Sequence, residues 1–317
     1  MLAAARRIGP AADGLVATCI ESFCDTAWPA VAWKFSGLCA DGCPLQFEFS
    51  TSDDRLRFVT EAAPPEAEHH ARLGAAADLI ARLGIPAPAA DELRFWKSFQ
   101  AGRALRWGAW LGVRHDGART PQAKLYVEVP LELRDPAAAG FAQPIVPSSR
   151  IMMAGYDCAT GAREHYFRQP QMDSYERRVF LRFVGDASGR QAVLDAFAEV
   201  CALPQRAALD WINFGYSITR GSRVGERFTI FVGPRSLRSA SRIRRAFLRW
   251  EERAGRTASA YRDLVGALAD DRVPEHGIVA ISADGGSTAA LRVGVSARAL
   301  DQAFGNEESA GAPNVAV

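Results

Sequence analysis

The sequence predicts an α+β chain, a closed antiparallel β-barrel of about ten strands inside a ring of α-helices. Three observations predict it. Segments that alternate apolar and polar residues come in pairs joined by turn formers, and five such hairpins recur roughly every 50 to 60 residues. One or two stretches of helical periodicity separate consecutive hairpins. The polar strand faces carry aligned rows of charged and aromatic residues, which suits strands that line a lumen and turn their apolar faces out to helices. Joining the hairpins into one closed sheet removes both edges.

Composition sets the outer limits. With 317 residues, 48% hydrophobic and 23% charged, the chain has the material for a large core. One domain is expected over 1–304, with 305–317 a polar, glycine-bearing tail expected to be disordered. The 38 basic and 36 acidic residues leave a net charge of +2, so no global field points to nucleic acid or a membrane surface. Arg6 and Arg7 are not followed by an apolar signal region, and no run reaches the ~20 apolar residues of a membrane span, so a cytoplasmic monomer is expected. The six cysteines include no Cys-x-x-Cys, and the Cys39/Cys43 spacing lacks the further ligands of a zinc site.

In chain order, Pro10 to Leu38 reads as a helix through Leu15, Val16, Cys19, Ile20 and Phe23. Leu45–Ser50 and Arg55–Glu61 form the first hairpin, with Gln46, Glu48, Ser50, Arg55, Arg57 and Val59 on its polar side. Glu66–Leu83 and Asp91–Gln100 read as helices punctuated by Pro86 and Pro88. The second hairpin is Gly108–Arg114 with Ala123–Pro130, followed by a short helix or irregular connection over Leu131–Phe141. Ile151–Asp157 and Ala162–Arg168 make the third hairpin. Asp173–Val184 mixes two periods and is read as helix, then Gly189–Ala202 as a clearer one. Ile212–Thr219 and Glu226–Val232 form the fourth hairpin, Ser236–Arg253 and Thr257–Leu268 two basic helices, and Gly277–Ala283 with Thr288–Ser296 the fifth. The arginines of 222–245 lack interleaved stacking aromatics and read as a solvated helix face.

The second hairpin carries the most informative row. Leu125, Val127 and Val129 share one side of its return strand, while Lys124, Tyr126 and Glu128 align a cation, an aromatic ring and a carboxylate on the other. In the order of its helices and hairpins the chain resembles the ABBA, or PT-barrel, prenyltransferases, with its closest likeness to the cyanobactin peptide prenyltransferases. In those, a strand ending Asp-Leu-Arg precedes Leu-Lys-Leu-His, and here Leu111-Gly112-Val113-Arg114 precedes Ala123-Lys124-Leu125-Tyr126. The wider family uses Lys-x-Tyr at this strand, as Lys124 and Tyr126 supply. It often carries Arg-x-Lys-x-Tyr on the next return strand, where this chain offers Arg163-x-His165-x-Phe167. Glu48 and Arg57 match the lumen Glu and Arg of the peptide enzymes' first hairpin. Thr229 and Phe231 depart from the family's more polar fourth return strand.

The resemblance implies transfer of an isoprenyl group from dimethylallyl diphosphate, or a longer prenyl diphosphate, to a side chain of a peptide, plausibly macrocyclic. The alternatives are an aromatic small-molecule acceptor and a noncatalytic barrel for an anionic amphipathic ligand. Such chemistry needs cations at one end of the lumen and a dry aromatic surface at the other. Arg57, Lys124, Arg163, His165, Arg227 and Arg292 are the candidates for the diphosphate. Tyr126, Tyr216 and Phe231 are those for shielding the allyl cation. Trp110 and Glu128 are those for the acceptor, and Glu48 is the candidate base, with Glu128 or Glu164 in reserve. For Arg163 and His165 the alternative register instead turns Glu164, Tyr166 and Arg168 inward. Acidic lumen residues suit a guanidinium acceptor, while indole, phenol and imidazole stay open. No Asp-Asp-x-x-Asp run is present, so magnesium is expected only as a companion of the diphosphate, with no organic cofactor.

Overall fold

Alternation sorts each strand's side chains onto two faces, and the chain turns its apolar faces outward. The computed structural model describes residues 10–24, 36–116, 120–134, 141, 143–221, 224–237, 240–256, 259–265, 276–283 and 288–297. Ten strands appear: β1 (Leu45–Ser50), β2 (Leu56–Glu61), β3 (Ala109–His115), β4 (Gln122–Glu128), β5 (Arg150–Asp157), β6 (Arg163–Gln169), β7 (Phe214–Gly221), β8 (Val224–Val232), β9 (His276–Ala283) and β10 (Ala289–Ser296). They close into one antiparallel barrel in which every strand pairs with its neighbours in sequence, and β1 with β10 seals the ring. The seam runs from Gln46 opposite Ser296 to Ser50 opposite Arg292.

Leu45, Phe47, Leu111, Leu125, Val127, Ile230, Val279, Leu291 and Val293 are fully buried on the outer face. Each contributes about 1.5–3 kcal/mol by leaving water. The covering helices are α1 (Pro10–Phe23), α2 (Arg72–Arg82), α3 (Ala90–Gln100), α4 (Ser174–Gly185), α5 (Ser188–Cys201), α6 (Gln205–Trp211), α7 (Pro234–Leu237), α8 (Ala240–Arg253) and α9 (Ala260–Val265). α5 lies over β8, β9 and β10, and α2 over β3 and β4. Ile243, Ala246 and Phe247 of α8 are buried while Arg242, Arg245 and Arg249 face solvent, so its basic side is the outer face of an amphipathic helix.

The mixed-period segment is helix α4. Asp173 caps it, its carboxylate accepting from Tyr175 N and Glu176 N at 2.8 Å, and Phe180 and Val184 point into the core. The first helix ends at Phe23 rather than Leu38, and residues 25–35 lie outside the described residues. The helix expected from Glu66 starts at Arg72, because Pro64 and Glu68 carbonyls close turns before it. The short helix α6, entered after Pro204, was not foreseen. The tail 305–317 lies outside the described residues. Among the described residues no helix is long and apolar enough to cross a membrane. All six cysteines are free thiols.

One buried pair between β9 and α9 makes stability depend on pH. His276 Nε2 and the Tyr261 hydroxyl are hydrogen-bonded at 3.0 Å. Burial, and then the Arg244 charge, push the imidazole from 6.5 down to about 4. Because the unfolded ring takes up its proton first, this contribution is complete above pH 6.5 and is lost as pH falls toward 4. The loss should reach about 3 kcal/mol. Denaturant titrations between pH 7.5 and 4 check this, and His276→Gln should flatten that part of the slope.

Candidate functional site

The inward residues divide the lumen into two chambers. At the end of the hairpin turns lies a polar cavity of about 100 Å³, lined by Arg57, Arg114, Lys124, Arg227 and Arg292, with Glu48, Asp157 and Glu164 among them. At the end where the helices connect lies a wider cavity of about 370 Å³, walled by Trp110, Tyr126, Met152, Met153, Tyr166, Phe231 and Ala280. Glu48, Val59, Tyr126, Glu164 and Arg292 line both. They form the layer where the cationic chamber meets the aromatic one.

That layer is held together by its own charges. The Lys124 ammonium pairs with Glu164 and lies 5.4 Å from the ring centres of both Tyr126 and Tyr166. Tyr166 in turn packs 5.8 Å from Tyr126 and 5.2 Å from Phe231, making a three-ring wall. Burial alone would raise the Glu164 carboxyl, but Lys124, the Ser217 hydroxyl that donates to it and Arg292 hold it down to about 2. Burial would likewise discharge Arg292, yet Glu48 and Glu164 keep its pKa above the usual arginine value. Burial raises both tyrosine phenols, so they face the lumen uncharged. Two glycines make room: a Cβ on Gly155 would sit 2.6 Å from Lys124 Cε, and one on Gly112 would sit 2.8 Å from Tyr126 Cε2.

Around this layer, Arg57 bonds both Asp53 carboxylate oxygens at 2.6 Å. Arg227 lines the same cationic chamber. At the other end Trp110 stacks on Trp107 with ring centres 3.9 Å apart and donates from Nε1 to Glu61 at 3.1 Å. Glu61 also accepts from Ser36 and pairs with Arg72, which fixes the indole at the rim.

Eight of the predicted residues thus meet in the lumen: Glu48, Arg57, Trp110, Lys124, Tyr126, Arg227, Phe231 and Arg292. Four do not. Arg163 points outward, its Nη2 2.5 Å from Glu92 on α3 and its guanidinium over Phe95. His165 is on the same outer face, with its ring 5.4 Å from Phe141. The alternative register of β6 is the one adopted, with Glu164, Tyr166 and Arg168 inside. Phe167 sits with Arg163 and His165, and it is this ring that joins the outer core. Tyr216 also faces outward. It stacks 5.0 Å from Phe167, and its hydroxyl bonds Ile145 N and Ser149 Oγ. Glu128 lies past the lumen, where its carboxylate accepts the backbone amides of Arg106, Trp107 and Gly108 at 2.7–2.9 Å. Tyr166, Arg168 and Arg114 are lumen residues outside the predicted site; the alternation of β3 was the signal for Arg114, and the alternative register of β6 carried the other two.

No family model matches the sequence, and no curated relative does. Solved structures do. PriB, in a binary complex with product diphosphate, superposes with a TM-score of 0.72 at 16% identity over 94% of this chain and 96% of its own. The 6-dimethylallyltryptophan synthase of Micromonospora olivasterospora, in complex with DMASPP and Trp, gives 0.70 at 16% over 94% and 96%. The 5-dimethylallyltryptophan synthase of Streptomyces coelicolor gives 0.68 at 13% over 94% and 97%. The chain has the ABBA, or PT-barrel, fold. Against the ABBA pattern this barrel departs on β6, where the lumen-facing triplet reads Glu164-x-Tyr166-x-Arg168 and the expected cation is replaced by a carboxylate. Among the described residues no group of three or more His, Cys, Asp or Glu is placed to hold a metal ion.

Proposed function

We propose that the protein transfers a short isoprenyl group from its diphosphate to a neutral aromatic acceptor. The observation that carries this reading is the junction of the cationic and aromatic chambers at Lys124, Tyr126 and Tyr166. The diphosphate takes the cationic chamber, with Arg57, Arg114, Lys124, Arg227 and Arg292 as its partners. The isoprenyl group then lies against Tyr126, Tyr166 and Phe231. When the C–O bond breaks, its electron pair leaves with the diphosphate and the guanidinium groups stabilise that charge. The ring faces shield the allyl cation from water. The acceptor, in the aromatic chamber, attacks the cation, and its proton passes to Glu48, which borders both chambers. Magnesium, where it takes part, arrives with the diphosphate.

The carboxylates argue for a neutral acceptor, since Glu164 is paired with Lys124, and Glu48 and Glu164 together face the half-buried Arg292. Arg168, exposed at the rim of the aromatic chamber, suits the carboxylate of a free amino acid. The similar structures support this choice: a PriB complex was solved with L-tryptophan and dimethylallyl thiolodiphosphate, and two dimethylallyltryptophan synthases with DMASPP and Trp. A second reading, a peptide-borne aromatic side chain, draws on Trp211 and Tyr175, 80% and 61% exposed at the same end. These two residues flank the Arg177–Asp210 pair that ties α4 to α6.

Incubation with dimethylallyl diphosphate and L-tryptophan, tryptamine or a tryptophan-containing cyclic peptide tests both readings by mass. An added C5 unit on L-tryptophan, in preference to tryptamine, is expected. An adduct on the peptide alone selects the second reading. No adduct and no diphosphate release with any acceptor overturns prenyl transfer.

A further inference from the structure

Lys124 stands between two anions. One is the Glu164 carboxylate to which it is bound; the other is the diphosphate that the cationic chamber is proposed to hold. Glu164 itself is fixed, since Ser217 donates to its other oxygen and Arg292 lies close enough to lower its pKa. A carboxylate so placed partly neutralises Lys124 and Arg292, two of the five cations of the chamber. It also adds a like charge beside any bound diphosphate.

We propose that Glu164 is a positioning residue that weakens the hold on diphosphate and so sets the rate at which that product leaves. This rests on the prenyl-transfer reading and adds to it a control on product release. With its carboxylate in place, Lys124 exchanges between Glu164 and the diphosphate, and departure of the product is compensated at once by the Lys124–Glu164 pair. Without the charge, Lys124 and Arg292 have no competing anion on β6 and keep the product. The substitution that isolates the effect is Glu164→Gln, which keeps the side-chain length and the acceptor for Ser217 while removing the charge and, with it, the bond to Lys124.

Calorimetric titration with inorganic diphosphate reads the effect without any acceptor. Glu164→Gln should bind it roughly 10- to 100-fold more tightly than wild type, as expected for removing one unit of like charge in a partly buried site. Lys124→Ala should bind it more weakly. In turnover, Glu164→Gln should lower both donor KM and kcat, and show a burst of prenylated product followed by a slow phase. A purely structural role would instead weaken binding or leave it unchanged. Diphosphate binding by wild type with an equal or weaker Kd in a folded Glu164→Gln overturns the role of Glu164 alone. No diphosphate binding by wild type or by Glu164→Gln overturns that role and the proposed function together.

Discussion

Glu48→Gln should lower kcat by roughly 10²–10⁴-fold without weakening donor binding, since it also removes a carboxylate beside Arg292. The amide keeps the shape of the side chain at the junction of the two chambers but cannot take the acceptor's proton. Ionisation depends on the cationic chamber and should survive, so the variant should still release diphosphate, now with water as the acceptor. Single-turnover assays that follow diphosphate and prenylated product separately make the check. A variant whose product formation falls less than threefold would remove Glu48 from the proton transfer.

Glu128→Ala should cost about 3–5 kcal/mol of stability, although the residue touches neither chamber. Its carboxylate is fully buried and gathers the successive amides of Arg106, Trp107 and Gly108, with Arg134 at 3.8 Å. Removing it takes the shared acceptor from three successive backbone donors and leaves the buried Gly108 amide unpaired. It also frees the turn that carries Trp107 into its stack on Trp110. The melting temperature should fall by on the order of 5–10 °C. The near-UV circular dichroism of the stacked indoles should weaken with it. A loss below about 1 kcal/mol in denaturant titration would refute this account.

The fate of this residue shows where the sequence was legible. Lys124 and Tyr126 were correctly read as lumen groups, since Leu125 and Val127 give β4 one unmistakably apolar side. Periodicity cannot tell where along a strand the lumen stops, and Glu128, the last residue of β4, gives its carboxylate to the 106–108 segment that folds over the end. The five hairpins and their closure were readable for the same reason as Lys124, because nearly every strand has a face rich in Leu, Val, Ile or Phe. β6 is the exception. Arg-Glu-His-Tyr-Phe-Arg-Gln offers no apolar side, and only packing of Phe167 against Tyr216 and the helices beyond decides its register. Tyr216 could have been placed from its own neighbours, as Phe214 and Ile218 share its face and Gly215, Ser217 and Thr219 share the other. The pairing of Lys124 with Glu164 was beyond reach, because it joins residues 40 positions apart across a strand that separates them.

Nine of the ten strand pairings join neighbours in sequence, and each can form early, at low loop-closure cost. The tenth links the two ends of the sheet, where Leu291 N bonds Thr51 Oγ1 across 240 positions. Glu48 stands on one lip of that seam and Arg292 on the other. A nascent chain that has made every local hairpin therefore still has an open sheet and no chemistry. Ring closure completes both chambers in one step, so the allyl cation of the proposed reaction meets only a finished wall.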